Sequence, residues 1–144
     1  MTTGAHHFLA MRVGEFLVGI SADLVHTVVS KPSYTPVPLT AEFILGITNY
    51  NGHIVTVIDT GACLHLTPVR NRDNTTGVVT ECNGDWYMFI VDYVGDVHVV
   101  TPPFLSADNL KPSWKPFTMG THLIGNELMA LMDGNLFIKE LLRT

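Results

Sequence analysis

The sequence predicts a mostly-β fold of the sandwich or barrel type. Three observations carry this: many short apolar runs closed by Gly, Asn or Pro, almost no sustained helical periodicity, and an internal repeat of about 70 residues. Strands are expected at residues 8–13, 16–20, 44–48, 53–58, 78–82, 86–91, 97–101, 121–124 and 127–132, all rich in Val, Ile and aromatics. Turn residues Gly14-Glu15, Asn51-Gly52 and Asn83-Gly84-Asp85 close three hairpins. Helix is expected only as single turns at 21–24 and 41–44, a short helix at 60–66, and an amphipathic C-terminal helix at 136–142. In the last, Phe137, Ile138, Leu141 and Leu142 recur at i, i+1, i+4 and i+5. Residues 101–118 hold four of the eight prolines and are expected to form a loop.

The repeat aligns residues 22–28 with 91–97 at an offset of 69, and 54–59 with 128–133 at an offset of 74. Each copy opens on Gly-acid-aromatic, Gly14-Glu15-Phe16 and Gly84-Asp85-Trp86. Two matches in the same order imply two copies of one β unit, joined by the Asn-, Thr- and Pro-rich stretch 67–77.

Length and composition bound the function. With 144 residues and 47% apolar content the chain can bury one domain's core. A net charge of −5 with scattered Lys and Arg argues against nucleic acid, because neutralising phosphates needs clustered bases. No apolar run approaches the roughly 18 residues that span a bilayer, so no direct membrane insertion is expected. Residues 1–7 lack a cationic start and an apolar core, so no secretory signal is expected, and two cysteines suit a reducing cytosol.

Asp59-Thr60-Gly61-Ala62 after an apolar strand matches the catalytic turn of pepsin-like and retroviral proteases, in which two aspartates share a proton. A homodimeric aspartic protease is therefore the alternative function. Against it, the second copy reads Met132-Asp133-Gly134-Asn135, without Thr or Ser; Asp59 then simply ends a strand and caps the following helical turn. The seven histidines show no metal-ligand spacing, and no phosphate loop or nucleophile signature occurs. No catalytic residue, metal or cofactor is expected.

The order of features matters more than any one of them. The hairpin 8–20 is followed by Leu24-Val25-His26-Thr27-Val28, Thr35-Pro36-Val37-Pro38 and Gly46-Ile47-Thr48-Asn49-Tyr50-Asn51-Gly52-His53-Ile54-Val55-Thr56-Val57-Ile58-Asp59. Later come Phe89-Ile90-Val91-Asp92-Tyr93-Val94-Gly95-Asp96-Val97 and the apolar segment 133–142. This order resembles the CheW family, the adaptors that couple chemoreceptors to the histidine kinase CheA, over nearly the whole chain. The resemblance implies a single domain over 1–144: two intertwined five-stranded SH3-like β barrels with short helices, one of them at the C-terminus, and a sequence boundary near 67–77. It also implies no enzymatic activity, a cytoplasmic protein recruited to receptor arrays, and as partners a CheA regulatory domain, a chemoreceptor cytoplasmic tip and other CheW-like domains.

Such a role needs apolar patches and edge strands. Val25, Ile54, Val91 and Val94 are the candidate apolar contacts, with Thr27, Asn49 and Asn51 as candidate polar ones. Two positions depart from the family. Its Asn-Leu-Arg-Gly reads Asn49-Tyr50-Asn51-Gly52 here, and its glutamate after the strand-entry valine is Thr27. Loss of acid and base together fits removal of an ion pair, since losing one alone strands a charge. These departures are expected to leave the fold intact and to alter receptor recognition, as in a divergent array governing pilus-based motility.

Overall fold

A computed structural model describes residues 4–38, 40–69 and 73–143. Ten strands dominate it: β1 (His6–Val13), β2 (Phe16–Ser21), β3 (Val25–Ser30), β4 (Ile44–Tyr50), β5 (His53–Asp59), β6 (Thr76–Cys82), β7 (Asp85–Val91), β8 (Tyr93–Val100), β9 (Thr118–Ile124) and β10 (Glu127–Met132). Two α-helices follow β5 and β10: α1 (Thr60–Cys63) and α2 (Gly134–Leu142). Short 3-10 helices cover Ala22–Leu24 and Pro112–Phe117.

The strands form two five-stranded sheets, ordered β8-β1-β2-β10-β9 and β3-β6-β7-β5-β4. Exchanging each strand for the one five places away turns the first order into the second, so the repeat is a structural one. The last three strands of each half cross to the hairpin of the other: β3, β4 and β5 join β6–β7, and β8, β9 and β10 join β1–β2, with the crossover strands β3 and β8 antiparallel to β6 and β1 at the sheet edges. Each crossover strand also carries one extra residue at the same place. In β3 it lies between Val25 and Thr27, opposite Thr80 and Val79; in β8 it lies between Val94 and Val97, opposite Met11 and Leu9. One detail of the repeat is corrected. Hairpin closure pairs Val13 with Phe16 and Cys82 with Asp85, so Phe16 corresponds to Asp85 and not to Trp86.

Alternate residues of the same strands feed different cores. Phe8 and Ala10 join Val100, Met129 and Leu131 inside the first barrel. Leu9, Met11, Val13, Val18 and Ile20 point the other way, into the larger core with Tyr87, Phe89 and Val91. Central strands buried on both faces read as continuous apolar runs, which is how the sequence betrayed them. The edge strand β3 is half-buried and alternates Val with His and Thr, so periodicity alone did not mark it. Gly95-Asp96 hid the first half of β8, where the bulge lies.

Both halves cross over themselves at a glycine. A Cβ on Gly46 would sit 2.2 Å from the Thr35 carbonyl oxygen, and one on Gly120 would sit 2.6 Å from that of Leu105. These are the sites of the isolated bridges Thr35↔Ile47 and Leu105↔Thr121.

The helix expected at 60–66 ends after Cys63, because His65 turns to φ 60° and the Leu66 amide folds back to the Gly61 carbonyl. Residues 41–44 make only a turn, closed by the Ile44 amide on the Ala41 carbonyl. The proline-rich stretch 101–118 is more ordered than expected. Its 3-10 helix buries Trp114 and Phe117, and the Trp114 indole N–H donates to the Leu64 carbonyl at 2.9 Å. Of the expected connection 67–77, residues 70–72 lie outside the described residues.

Asp59 and Asp133 do the same local job with different stakes. Each N-caps its helix, receiving the amide N–H of Ala62 and of Leu136 respectively, both at 3.1 Å. Asp59 is fully buried and also receives the Val69 N–H at 3.0 Å. Asp59→Ala should therefore cost about 3 kcal/mol, since it strands two buried donors, whereas Asp133→Ala should cost about 1 kcal/mol, the value of a lone cap. Urea denaturation of the two variants checks the difference.

Candidate protein-binding surface

Trp86, on β7, ties together segments that are far apart in sequence. It pairs with Glu81 on β6 and with Val55 on β5. Its ring lies 4.2 Å from the His26 imidazole on β3, 4.1 Å from that of His53 on β5 and 6.0 Å from the Tyr50 ring on β4, between centroids. His26 Nε2 is 3.2 Å from Glu81 Oε1. The indole thus brings the chain beside Thr27 to the β4–β5 hairpin that carries Asn49, Asn51 and Ile54.

The hairpin tip is built from local rules. Asn51 and Gly52 both have positive φ, 49° and 85°, the two-residue turn whose twist matches the strands. Asn49 Oδ1 accepts the Gly52 amide N–H at 3.1 Å and braces it. Asn51 is one of the few non-glycine residues suited to this backbone, so it has a conformational role as well as the one expected of it.

The candidate contacts separate by burial. Ile54 is 72% exposed on β5, next to exposed Asn49 on the sheet edge. Val25 and Val94 occupy corresponding positions at the start of the two crossover bulges, and both are half-buried against the core. Thr27 is half-buried too. Val91 is corrected: it is 0% exposed, packed where the two sheets meet, and offers nothing to a partner. Its position ends a strand covered on both faces, which its own residue type cannot reveal.

The corresponding end of the other barrel carries different chemistry. There Arg12 and Glu127 stand where Glu81 and His53 stand beside Trp86, and form a two-pronged ion pair with Arg12 Nη2 3.0 Å from Glu127 Oε1. The hydrogen bond from Arg12 lowers the Glu127 carboxyl below its ordinary value. The pair's contribution is present above the ordinary carboxylate range and is lost as pH falls through that lowered value. Both side chains are over a third exposed, so water screens the effect.

The residues read as possible chemistry are otherwise engaged. The Asp59 carboxylate is enclosed and receives the main-chain N–H groups of Ala62 and Val69, so it is not presented to a substrate as the protease alternative requires. Burial raises the Cys82 thiol, which disfavours the thiolate that a nucleophile or metal ligand needs. Among the described residues no group of three or more His, Cys, Asp or Glu is placed to hold a metal ion. Sequence spacing missed the histidine–tryptophan cluster because its members come from β3, β5 and β7. The repeat does not supply the signal either, because it puts β3 and β5 in one half and β7 in the other.

Two intertwined SH3-like barrels with apolar side chains at their edges define a scaffold class of fold. A model of the CheW-like domain family matches residues 7–141, and the chain belongs to that family. The fold is similar to the crystal structure of the scaffolding protein TtCheW from Thermoanaerobacter tengcongensis. The two superpose with a TM-score of 0.79 at 24% identity, over 90% of this chain and 89% of that one. A 52-residue stretch is 35% identical to Protein FrzA of Myxococcus xanthus, covering 36% of this chain and 32% of that relative's length.

Burial predicts opposite outcomes for two aspartate substitutions. Ile54→Asp should change stability by no more than about 0.5 kcal/mol, as exposed changes usually do. Val91→Asp should cost upward of about 4 kcal/mol or prevent folding, because it buries an unpaired carboxylate. Thermal unfolding followed by circular dichroism tells them apart.

Proposed function

We propose that this chain is a non-enzymatic adaptor, one CheW-like domain whose pseudo-repeated halves meet near residues 67–77 in sequence. It couples the cytoplasmic tip of a chemoreceptor to the regulatory domain of a CheA-type histidine kinase, in chemotaxis or related motility signalling. The reading rests chiefly on family membership over residues 7–141. The supporting geometry is the Trp86 cluster, which sets the Thr27 strand beside the hairpin that displays Asn49, Asn51 and Ile54. An adaptor needs no cofactor; it needs preformed apolar surface and open sheet edges, and β3, β4, β8 and β9 are all edge strands. Ile47 on β4 and Leu123 on β9 are exposed at such edges, with Ile54 exposed on β5 beside β4, and they suit contact with the kinase or with other CheW-like domains. No helix among the described residues is long and apolar enough to cross a membrane, in keeping with an adaptor recruited to receptor arrays in the cytoplasm.

Receptor recognition falls to Val25, Thr27, Asn49, Asn51 and Val94. Thr27 and Asn51 replace an acid and a base, so this surface recognises its receptor without that ion pair.

A pull-down with a CheA regulatory domain and a receptor-tip fragment from the same cell tests the adaptor role. Binding in the micromolar range is expected, and Ile54→Asp should weaken the kinase interaction by about tenfold or more, as loss of an apolar anchor does. No binding at tens of micromolar counts against the role. Thr27→Glu and Asn51→Arg, made singly and together, test the lost pair. The double variant should depart from the sum of the singles in receptor affinity by about 0.5 kcal/mol or more, and strict additivity would overturn the coupling.

A further inference from the structure

The two halves treat the groove beside their first hairpin differently. In the first half, Phe16 closes the β1–β2 hairpin and is half-buried. Trp114 meets its ring edge-on at 5.2 Å, and Lys111 Nζ stands 5.8 Å from the ring centroid. The same Trp114 donates its indole N–H to Leu64, the residue after α1. In the second half the corresponding positions are Asp85, which closes the β6–β7 hairpin, and Ile138 in the longer helix α2. No aromatic side chain fills this groove. It is a mostly apolar cavity of about 400 Å³ floored by Tyr87, Ile138 and Leu142, with Asp85 on one rim and Lys139 and Arg143 on the other.

Three observations say what this groove is fitted for. It is held open in a fixed shape, because the Asn83 amide N–H donates to Asn135 Oδ1 and the Asn83 side-chain amide donates to the Asn135 carbonyl, both at 3.1 Å. Leu142 is 56% exposed on its wall, although the helix that carries it is docked on the core through Phe137 and Ile138. Lys139 has no ion-pair partner among the described residues, while Arg143 reaches only Glu140 on its own helix, at 3.2 Å. An apolar slot with Lys139 and Arg143 along its helix rim takes an apolar side chain with a carboxylate on that side. In the first half the corresponding space shrinks to about 90 Å³ beside Phe16 and Leu66, and the side chain that packs on Phe16 there is an indole.

We propose that the groove between the β6–β7 hairpin and α2 is a docking site for a partner segment that presents an aromatic side chain next to acidic residues. The site lies on the face of β7 that carries Asp85 and Tyr87, opposite the face that carries Trp86, and does not depend on the adaptor reading. Its affinity for a minimal peptide is set by one apolar side chain and one or two exposed ion pairs, which gives a dissociation constant on the order of a millimolar.

Capped peptides are the probes, titrated into the full chain and followed through backbone amide chemical shifts. Acetyl-Asp-Trp-Glu-amide should move the amides of Asp85, Ile138 and Leu142 and leave those of His26, Tyr50 and His53 in place. Acetyl-Asn-Trp-Gln-amide should bind about threefold to fivefold more weakly, the size of an exposed ion pair, and acetyl-Asp-Ala-Glu-amide should not bind. Leu142→Glu should abolish the response. Lys139→Glu should weaken the acidic peptide and favour acetyl-Lys-Trp-Lys-amide instead. Both side chains point to solvent, and unchanged circular dichroism confirms that the variants fold. Equal binding of the neutral peptide, shifts outside the groove, a response that survives Leu142→Glu, or no shifts at several millimolar would each overturn the proposal.

Discussion

The structure depends on the exchange of the first hairpin between the two halves: β1–β2 is built into the sheet of β8, β9 and β10, and β6–β7 into that of β3, β4 and β5. Without β8 the first sheet would expose the edge of β1, and without β3 the second would expose the edge of β6. Neither half can satisfy its backbone hydrogen bonds from its own sequence, so the halves fold as one body. The exchange also explains why β1, β2, β6 and β7 are apolar on both faces. One face of each fills its own barrel, and the other meets the opposite half. Val91 sits on that shared face, and this is why a residue of partner-binding type is instead structural.

The exchange also places the candidate surface. β3 belongs to the first half in sequence and to the second sheet in space, so His26 reaches a tryptophan 60 positions further along the chain. Glu81 and His53 complete the arrangement from the two strands beside β7. At the matching end of the other barrel Arg12 and Glu127 form an ion pair instead. The pseudo-symmetry therefore supplies two equal frames, and the side chains make the two ends chemically distinct. An adaptor that meets different partners requires that distinction, since two identical ends would not discriminate between them.

Symmetry breaking recurs at the helices. α1 is four residues long and α2 nine, though each begins on an aspartate cap after an equivalent strand. The short helix lets the chain turn back at His65 and leaves the Leu64 carbonyl for the Trp114 indole. The long helix carries Lys139 and Leu142 out beside the second hairpin and leaves a groove where the first half has a packed ring.

The sequence by itself determined the β class, most strand positions, the repeat with its two offsets, the caps at Asp59 and Asp133 and the resemblance to the CheW family. All of these are local or periodic signals, because a strand buried on both faces, a turn and a cap are each written within a few residues. That Asn49, Asn51 and Ile54 lie on one β hairpin was legible for the same reason. Only the tertiary structure decided that β3 and β8 cross over, that Phe16 corresponds to Asp85, that Val91 is interior, and that His26, His53 and Trp86 meet. It also decided the burial of Trp114 inside a stretch that reads as a proline-rich loop. These depend on which strand edges pair and how the two sheets stack. Contacts between segments tens of residues apart are set by the packing of the whole chain, and no local spacing records them.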